Sequence, residues 1–186
     1  MAEGVIHTDS TAGARDLRIL IAYTSKHGAI AGIAERIGEV LRLAGQDARV
    51  LPISEVRDLK DYHAAIVGSA VYMGRWMKEA TSFVRQHQVE LAAMSLWLFS
   101  SGPVGPKPLP EAADIAEFRK VLNVSGDATF DGALDARKLS LSERMMVKAV
   151  RAPYGDYRRW DEVDTWARSI ATSLDSALSE EPAGVV

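Results

Sequence analysis

The stretch with the clearest chemical content is Thr24-Ser25-Lys26-His27-Gly28-Ala29-Ile30, which joins a short apolar run to an amphipathic one. Hydroxyls, a glycine and the first N–H groups of a helix make an anion site. Those N–H groups have no intrahelical acceptor, and the helix dipole adds partial positive charge beside them. The same residues also make an ordinary strand-to-helix turn, so spacing alone leaves a phosphate ligand and a plain turn both open. Neither G-x-x-x-x-G-K-[ST] nor G-x-G-x-x-G occurs here, which argues against a nucleoside triphosphate or a dinucleotide.

Two further loops have the same small, flexible character. One is Gly68-Ser69-Ala70-Val71-Tyr72-Met73-Gly74-Arg75-Trp76, where small residues, an aromatic and a second glycine would let a flat ring lie against backbone. The other is Phe99-Ser100-Ser101-Gly102-Pro103-Val104-Gly105. Singly, each reads as a turn. Together, three such loops at the carboxyl ends of strands describe one crevice. Other chemistries are absent from the sequence. The lack of cysteine excludes disulfides, thiolate catalysis and thiolate-bound metal clusters. His7, His27, His63 and His87 form no H-x-x-x-H pair, so no metal site is expected. No triad or carboxylate pair stands out, and no catalytic side chain is nominated.

The elements that must position these loops follow from periodicity. The chain has 186 residues, 47% of them hydrophobic, and a formal net charge of -3, which suits one globular domain and gives no footprint for nucleic acid. Residues 17–24 (LRILIAYT) form a near-continuous apolar run, as in a strand covered on both faces. Ile30, Ile33, Ala34, Ile37, Leu41 and Ala44 recur at helical spacing, with Gly45 as a stop. Further strands are expected at 48–53, 64–70, 96–100 and 128–134, and helices at 76–88, 111–122 and 161–178. In the last helix Val163, Trp166, Ala167, Ile170, Leu174 and Leu178 point inward. Strands alternating with helices give an α/β, doubly wound, five-stranded parallel sheet with helices on both faces. Residues 1–16 read as a loose tail without a secretory signal, and 179–186 as a frayed end. No apolar stretch approaches the ~20 residues of a membrane span, and a cytoplasmic protein is expected.

The motifs YTSKHG (23–28), GSAVYMGRW (68–76), LFSSGPVG (98–105) and AVRAPYGDYRRWDEVDTWA (149–167) carry a resemblance to the flavodoxin family. Within it the chain looks like the flavodoxin-domain branch that includes the menaquinone-dependent protoporphyrinogen dehydrogenases. The likeness runs over residues 17–178 and implies strand order 2-1-3-4-5 and one noncovalent FMN. It implies that Thr24 to Ile30 hold the phosphate. It further implies that Ser69, Ala70, Val71, Tyr72, Met73 and Gly74, with Ser100, Ser101, Gly102, Pro103, Val104 and Gly105, flank the isoalloxazine. Family members usually end the phosphate loop with a hydroxyl residue and often carry one just before it. Here Ala29 and Ile30 stand at those places. Each lost hydrogen bond to a charged group is worth about 1.5–3 kcal/mol, or roughly tenfold or more in affinity.

Residues 135–160 are too long for a simple connection before the last helix. They mix Leu141, Met145, Met146, Val147 and Val150 with Arg137, Lys138, Arg144, Lys148, Arg151, Arg158 and Arg159. One reading is a helix packed on the body with a solvated basic edge. The other is a surface element that meets an anionic membrane, a quinone or a redox partner, governing the partner and not the cofactor. The resemblance supports the second, since the dehydrogenase branch carries an extended loop in this place. The implied function is a flavin oxidoreductase passing electrons from a protoporphyrinogen-like donor to a quinone, at the inner face of a membrane. An electron carrier between proteins, or a non-redox domain with a decayed flavin site, are the competing classes.

Overall fold

The computed structural model describes residues 17–102, 111–149 and 153–180. Strand β1 (Arg18–Thr24) shows how the core is made. Ile19 and Ile21 face one side of the sheet, Leu20 and Ala22 face the other, and all four are fully buried. A strand covered on both faces needs apolar residues at every position, which is why its sequence does not alternate. Each such buried Leu or Ile contributes about 1.5–3 kcal/mol relative to exposure.

The other strands are β2 (Asp47–Pro52), β3 (Ala64–Tyr72), β4 (Arg75–Trp76), β5 (Ser95–Gly102), β6 (Val124–Asp131), β7 (Ala133–Leu134) and β8 (Gly155–Asp156). Five of them run parallel in the order β2-β1-β3-β5-β6. Counted along the chain, that is the order 2-1-3-4-5. On one face α1 (Ala29–Leu43) and α6 (Trp160–Glu180) pack over Ile19, Ile21, Ile66 and Phe99. On the other, α2 (Lys78–Gln86), α3 (Gln88–Ala92) and α4 (Ala113–Val121) cover Leu20, Ala22, Val67 and Leu98. Arg36 of α1 clasps α6, its Nε and Nη2 donating to the two oxygens of Asp164 at 2.6 and 2.7 Å.

Three expectations need correction. Trp76 belongs to no helix: it pairs with Val71 across a hairpin, and α2 starts only at Lys78. The edge strand β6 begins at Val124, earlier than its apolar residues suggest, because Ser125 and Asp127 break the run. Ala44 is exposed at the helix end and not part of the apolar stripe. In α6 the expected inward residues Val163, Ala167, Ile170 and Leu174 are buried, and Trp166 packs against them. The side chain of Leu178 and the two tails lie outside the described residues.

Between β7 and α6 the chain folds a short 3-10 turn (Ala136–Lys138) and α5 (Leu141–Ala149). It then returns to pair β8 antiparallel with β7, Ala133 opposite Asp156 and Leu134 opposite Gly155. Leu141 and Met145, one helical turn apart on α5, are 79% and 74% exposed. They are therefore surface residues and not the core face of a packed helix.

Candidate functional site

Sheet register brings the beginnings of the three loops together. Thr24 at the end of β1 stands opposite Ser69 of β3, and Ser69 stands opposite Ser100 of β5. Between β1 and β3 the order of connection reverses, so the helices on either side diverge and leave a crevice at the carboxyl ends.

The first loop has the features of an anion cradle. Gly28, at φ +89°, is the residue before α1, in a conformation that L side chains rarely adopt. Its N–H donates to Ser25 Oγ at 3.0 Å, which leaves the Ser25 hydroxyl proton for another acceptor. No side chain caps α1 and its first turn holds no acidic residue, so the following N–H groups and the positive end of the dipole face the loop unopposed. Thr24 Oγ1 is buried with no hydrogen-bond partner. Such a hydroxyl costs about 1–3 kcal/mol unless something accepts from it or donates to it. Ala29 is half-buried and lines the cleft. Ile30 does not: its side chain is 1% exposed inside the core, and only its N–H is left for the loop. Beside the loop, burial chiefly, then the charges of Glu35 and Glu55, push the Tyr23 phenol above its usual range and keep it neutral.

The third-strand loop is a tight hairpin. Val71 pairs with Trp76 and Tyr72 with Arg75, leaving Met73 and Gly74 as a two-residue turn at φ +50° and +76°. Positive φ at both centres is the turn whose twist suits a hairpin, and it places a methionine in a strained conformation. Met73 is completely exposed at the tip and Tyr72 is 47% exposed. The hydroxyls of Ser69 and Ser100, expected to flank a ligand, point elsewhere. Ser69 Oγ accepts from Met77 N at 3.0 Å and donates to Ala70 O at 2.9 Å, and Ser100 Oγ accepts from Trp76 Nε1 at 2.8 Å. Both are buried struts of the hairpin. The buried carboxylate of Asp114, which sequence reasoning missed, holds the same hairpin through Trp76 N at 2.8 Å and Arg75 Nη2 at 3.2 Å. Ala70 and Val71 are half-buried at the crevice, and Ser101 and Gly102 are buried where β5 ends. Pro103, Val104 and Gly105 lie outside the described residues.

The segment 135–160 does not stand apart from the phosphate loop, contrary to the expectation from its place in the chain. Its 3-10 turn and β8, with β7 just before it, form one wall of a cleft of about 590 Å³ whose other wall is His27, Gly28 and Ala29. Arg158 Nη1 donates to Ala29 O at 3.3 Å, and its guanidinium lies 4.5 Å from the Trp160 ring centre. The cause is the β7–β8 pairing, which folds the segment back over the start of α1. Neither two-residue strand has a periodicity that a sequence could reveal.

A cradle of free N–H groups, an unpartnered hydroxyl and a left-handed glycine suits a phosphate, and the adjoining crevice suits a flat ring. A family model described as a flavodoxin domain matches residues 20–160. The structure is similar to that of a flavodoxin from the domain Archaea, 17% identical over 86% of this chain and 99% of that one, with a TM-score of 0.58. It is similar also to a flavodoxin variant from Pseudomonas aeruginosa, 16% identical over 86% of this chain and 99% of that one, TM-score 0.56. A flavoprotein from Lactobacillus acidophilus in complex with FMN is 16% identical over 61% of this chain and 93% of that one, TM-score 0.50. No curated protein matches the sequence. The structural likenesses, at such low identity, speak for the fold alone. The family match covers most of the chain, including the carboxyl ends of β1, β3 and β5, and on that ground the chain belongs to the flavodoxin-domain family.

Proposed function

We propose that the chain binds one FMN noncovalently across the carboxyl ends of β1, β3 and β5 and works in electron transfer. The observation that carries this reading is the meeting of Thr24, Ser69 and Ser100 in register, with an uncapped helix start and an unpartnered Thr24 hydroxyl at the same edge. FMN bound to a structural relative supports it. When present, the flavin supplies the redox chemistry; the chain binds it, orients it and shapes its surroundings. The N–H groups of Ala29 and Ile30 and the hydroxyls of Thr24 and Ser25 would hold the phosphate. Backbone and side chains of residues 70–74 would lie along the ring, with the exposed Met73 and Tyr72 nearest to an incoming partner. Mass spectrometry of ligand extracted from natively purified protein tests this. FMN is the expected species, and a nucleotide without a flavin ring would overturn the reading.

The finer reading is a quinone-dependent oxidoreductase that takes electrons from a protoporphyrinogen-like donor at an anionic membrane surface. Its support is the exposed apolar pair Leu141 and Met145 on α5, next to exposed Arg144 and Lys148. Apolar contact combined with surface cations is the signature of interfacial binding. No helix among the described residues is long and apolar enough to cross a membrane, so the contact proposed is peripheral. A second reading, an electron carrier between proteins, is favoured by the fully exposed Met73 at the hairpin tip. Turnover of a porphyrinogen with a quinone acceptor separates the two, because a carrier has no substrate of its own.

A further inference from the structure

We propose that Lys138, carried by the segment that follows the sheet, is a direct ligand of the FMN phosphate and takes over the work of the hydroxyl that Ala29 lacks. This rests on the FMN reading and adds to it a residue outside the phosphate loop. Lys138 Nζ lies 3.3 Å from the point a Cβ on Gly28 would occupy, which puts the ammonium over the phosphate loop at that glycine.

The position of Lys138 is built, not incidental. The antiparallel pairing of β7 with β8 folds the chain back over the start of α1. Asp135 then opens the 3-10 turn, its Oδ1 accepting from Arg137 N at 2.9 Å, and Lys138 N donates to Asp135 O at 3.0 Å to close it. The far side is pinned by Tyr157 N to Gly132 O at 3.1 Å and by Arg159 Nε to Asp131 Oδ2 at 3.0 Å. A turn fixed at both ends presents one lysine to the loop.

Charge in the cleft singles out the same residue. Arg137 is held by both oxygens of Asp135, and Arg158 by both oxygens of Asp156. Hydrogen bonds from Arg137 chiefly, with a smaller effect of the Lys138 charge, hold the Asp135 carboxyl below its ordinary range, and hydrogen bonds from Arg158 do the same for Asp156, so each arginine–aspartate pair stays ionised. Among the described residues no carboxylate forms an ion pair with Lys138. The wall facing the phosphate loop therefore has a surplus of one positive charge, located on Lys138. A phosphate monoester seated on the N–H groups of α1 would receive a charge-assisted hydrogen bond from it.

The test compares FMN with riboflavin, which has the same ring and no phosphate. Flavin fluorescence titrations would use the native chain, Lys138→Met and Lys138→Arg, with thermal melts to confirm that each is folded. Lys138→Met should weaken FMN about tenfold or more, leave riboflavin unchanged, and flatten the salt dependence of FMN binding; Lys138→Arg should restore most of the FMN affinity. If FMN affinity is unchanged in Lys138→Met, or riboflavin weakens equally, the role assigned to Lys138 is overturned while FMN binding stands. If the native chain binds neither flavin, the FMN reading falls and this proposal with it.

Discussion

The ammonium of Lys138 sits over Gly28: its Nζ lies 3.3 Å from the position that a Cβ on that glycine would take. Gly28 is thus constrained twice, by its left-handed backbone at φ +89° and by the lysine above it. Gly28→Ala is expected to cost about 1–2 kcal/mol of stability from the backbone alone. It should also displace Lys138 and weaken FMN binding. Urea denaturation and flavin titration of the variant check the two effects separately.

Thr24→Val keeps the shape and β-branching of the strand residue and removes the buried hydroxyl that has no partner. The ligand-free variant should be more stable by about 1 kcal/mol, since an unsatisfied buried group is lost. FMN should bind less tightly to it. A variant that is less stable without ligand would mean that the hydroxyl has a partner in solution and is not held for the phosphate.

Ala29 and Ile30 separate cleanly. Ala29→Ser adds a hydroxyl in the cleft and should tighten FMN binding, about tenfold if the new bond reaches the phosphate. Ile30→Thr removes apolar volume from the core and buries a hydroxyl there, and should cost roughly 2 kcal/mol with no gain in affinity. Titration calorimetry and thermal melts on the two single variants decide.

Much of this was legible in the residues, for definite reasons. LRILIAYT has no alternation because β1 is buried on both faces, and Ile33, Ile37 and Leu41 keep one face of α1 in the core. That Thr24, Ser69 and Ser100 end neighbouring strands on the same edge followed from the alternation of strands and helices. What stayed hidden depends on contacts far apart in sequence. The inward turn of the Ser69 and Ser100 hydroxyls is set by the hairpin at Met73-Gly74 closing over them, so a serine in a ligand loop and a serine in a strut look alike. The return of 135–160 to the phosphate loop rests on Ala133 and Leu134 meeting Asp156 and Gly155, a pairing too short to leave a pattern.

The clasp between α1 and α6 carries a pH dependence. Hydrogen bonds from Arg36, more than its charge alone, hold the Asp164 carboxyl below its ordinary range, against the opposing effect of burial. A carboxylate with a depressed folded pKa stabilises the fold fully above its unfolded value, about pH 4, and loses that contribution as pH falls through the depressed value. Asp164→Asn should therefore lower the urea midpoint at pH 7. The gap from the native chain should shrink below about pH 4. A gap that stays constant down to pH 2 would mean that packing, and not the ionised pair, is what the substitution removes.

Titration of ligand-free protein with FMN, followed by flavin fluorescence, tests the central claim most directly. The account predicts saturable quenching at one equivalent with a dissociation constant in the micromolar range or below, and weaker binding of riboflavin under the same conditions. Fluorescence that rises linearly, as for free FMN, with no saturation at micromolar protein would contradict it.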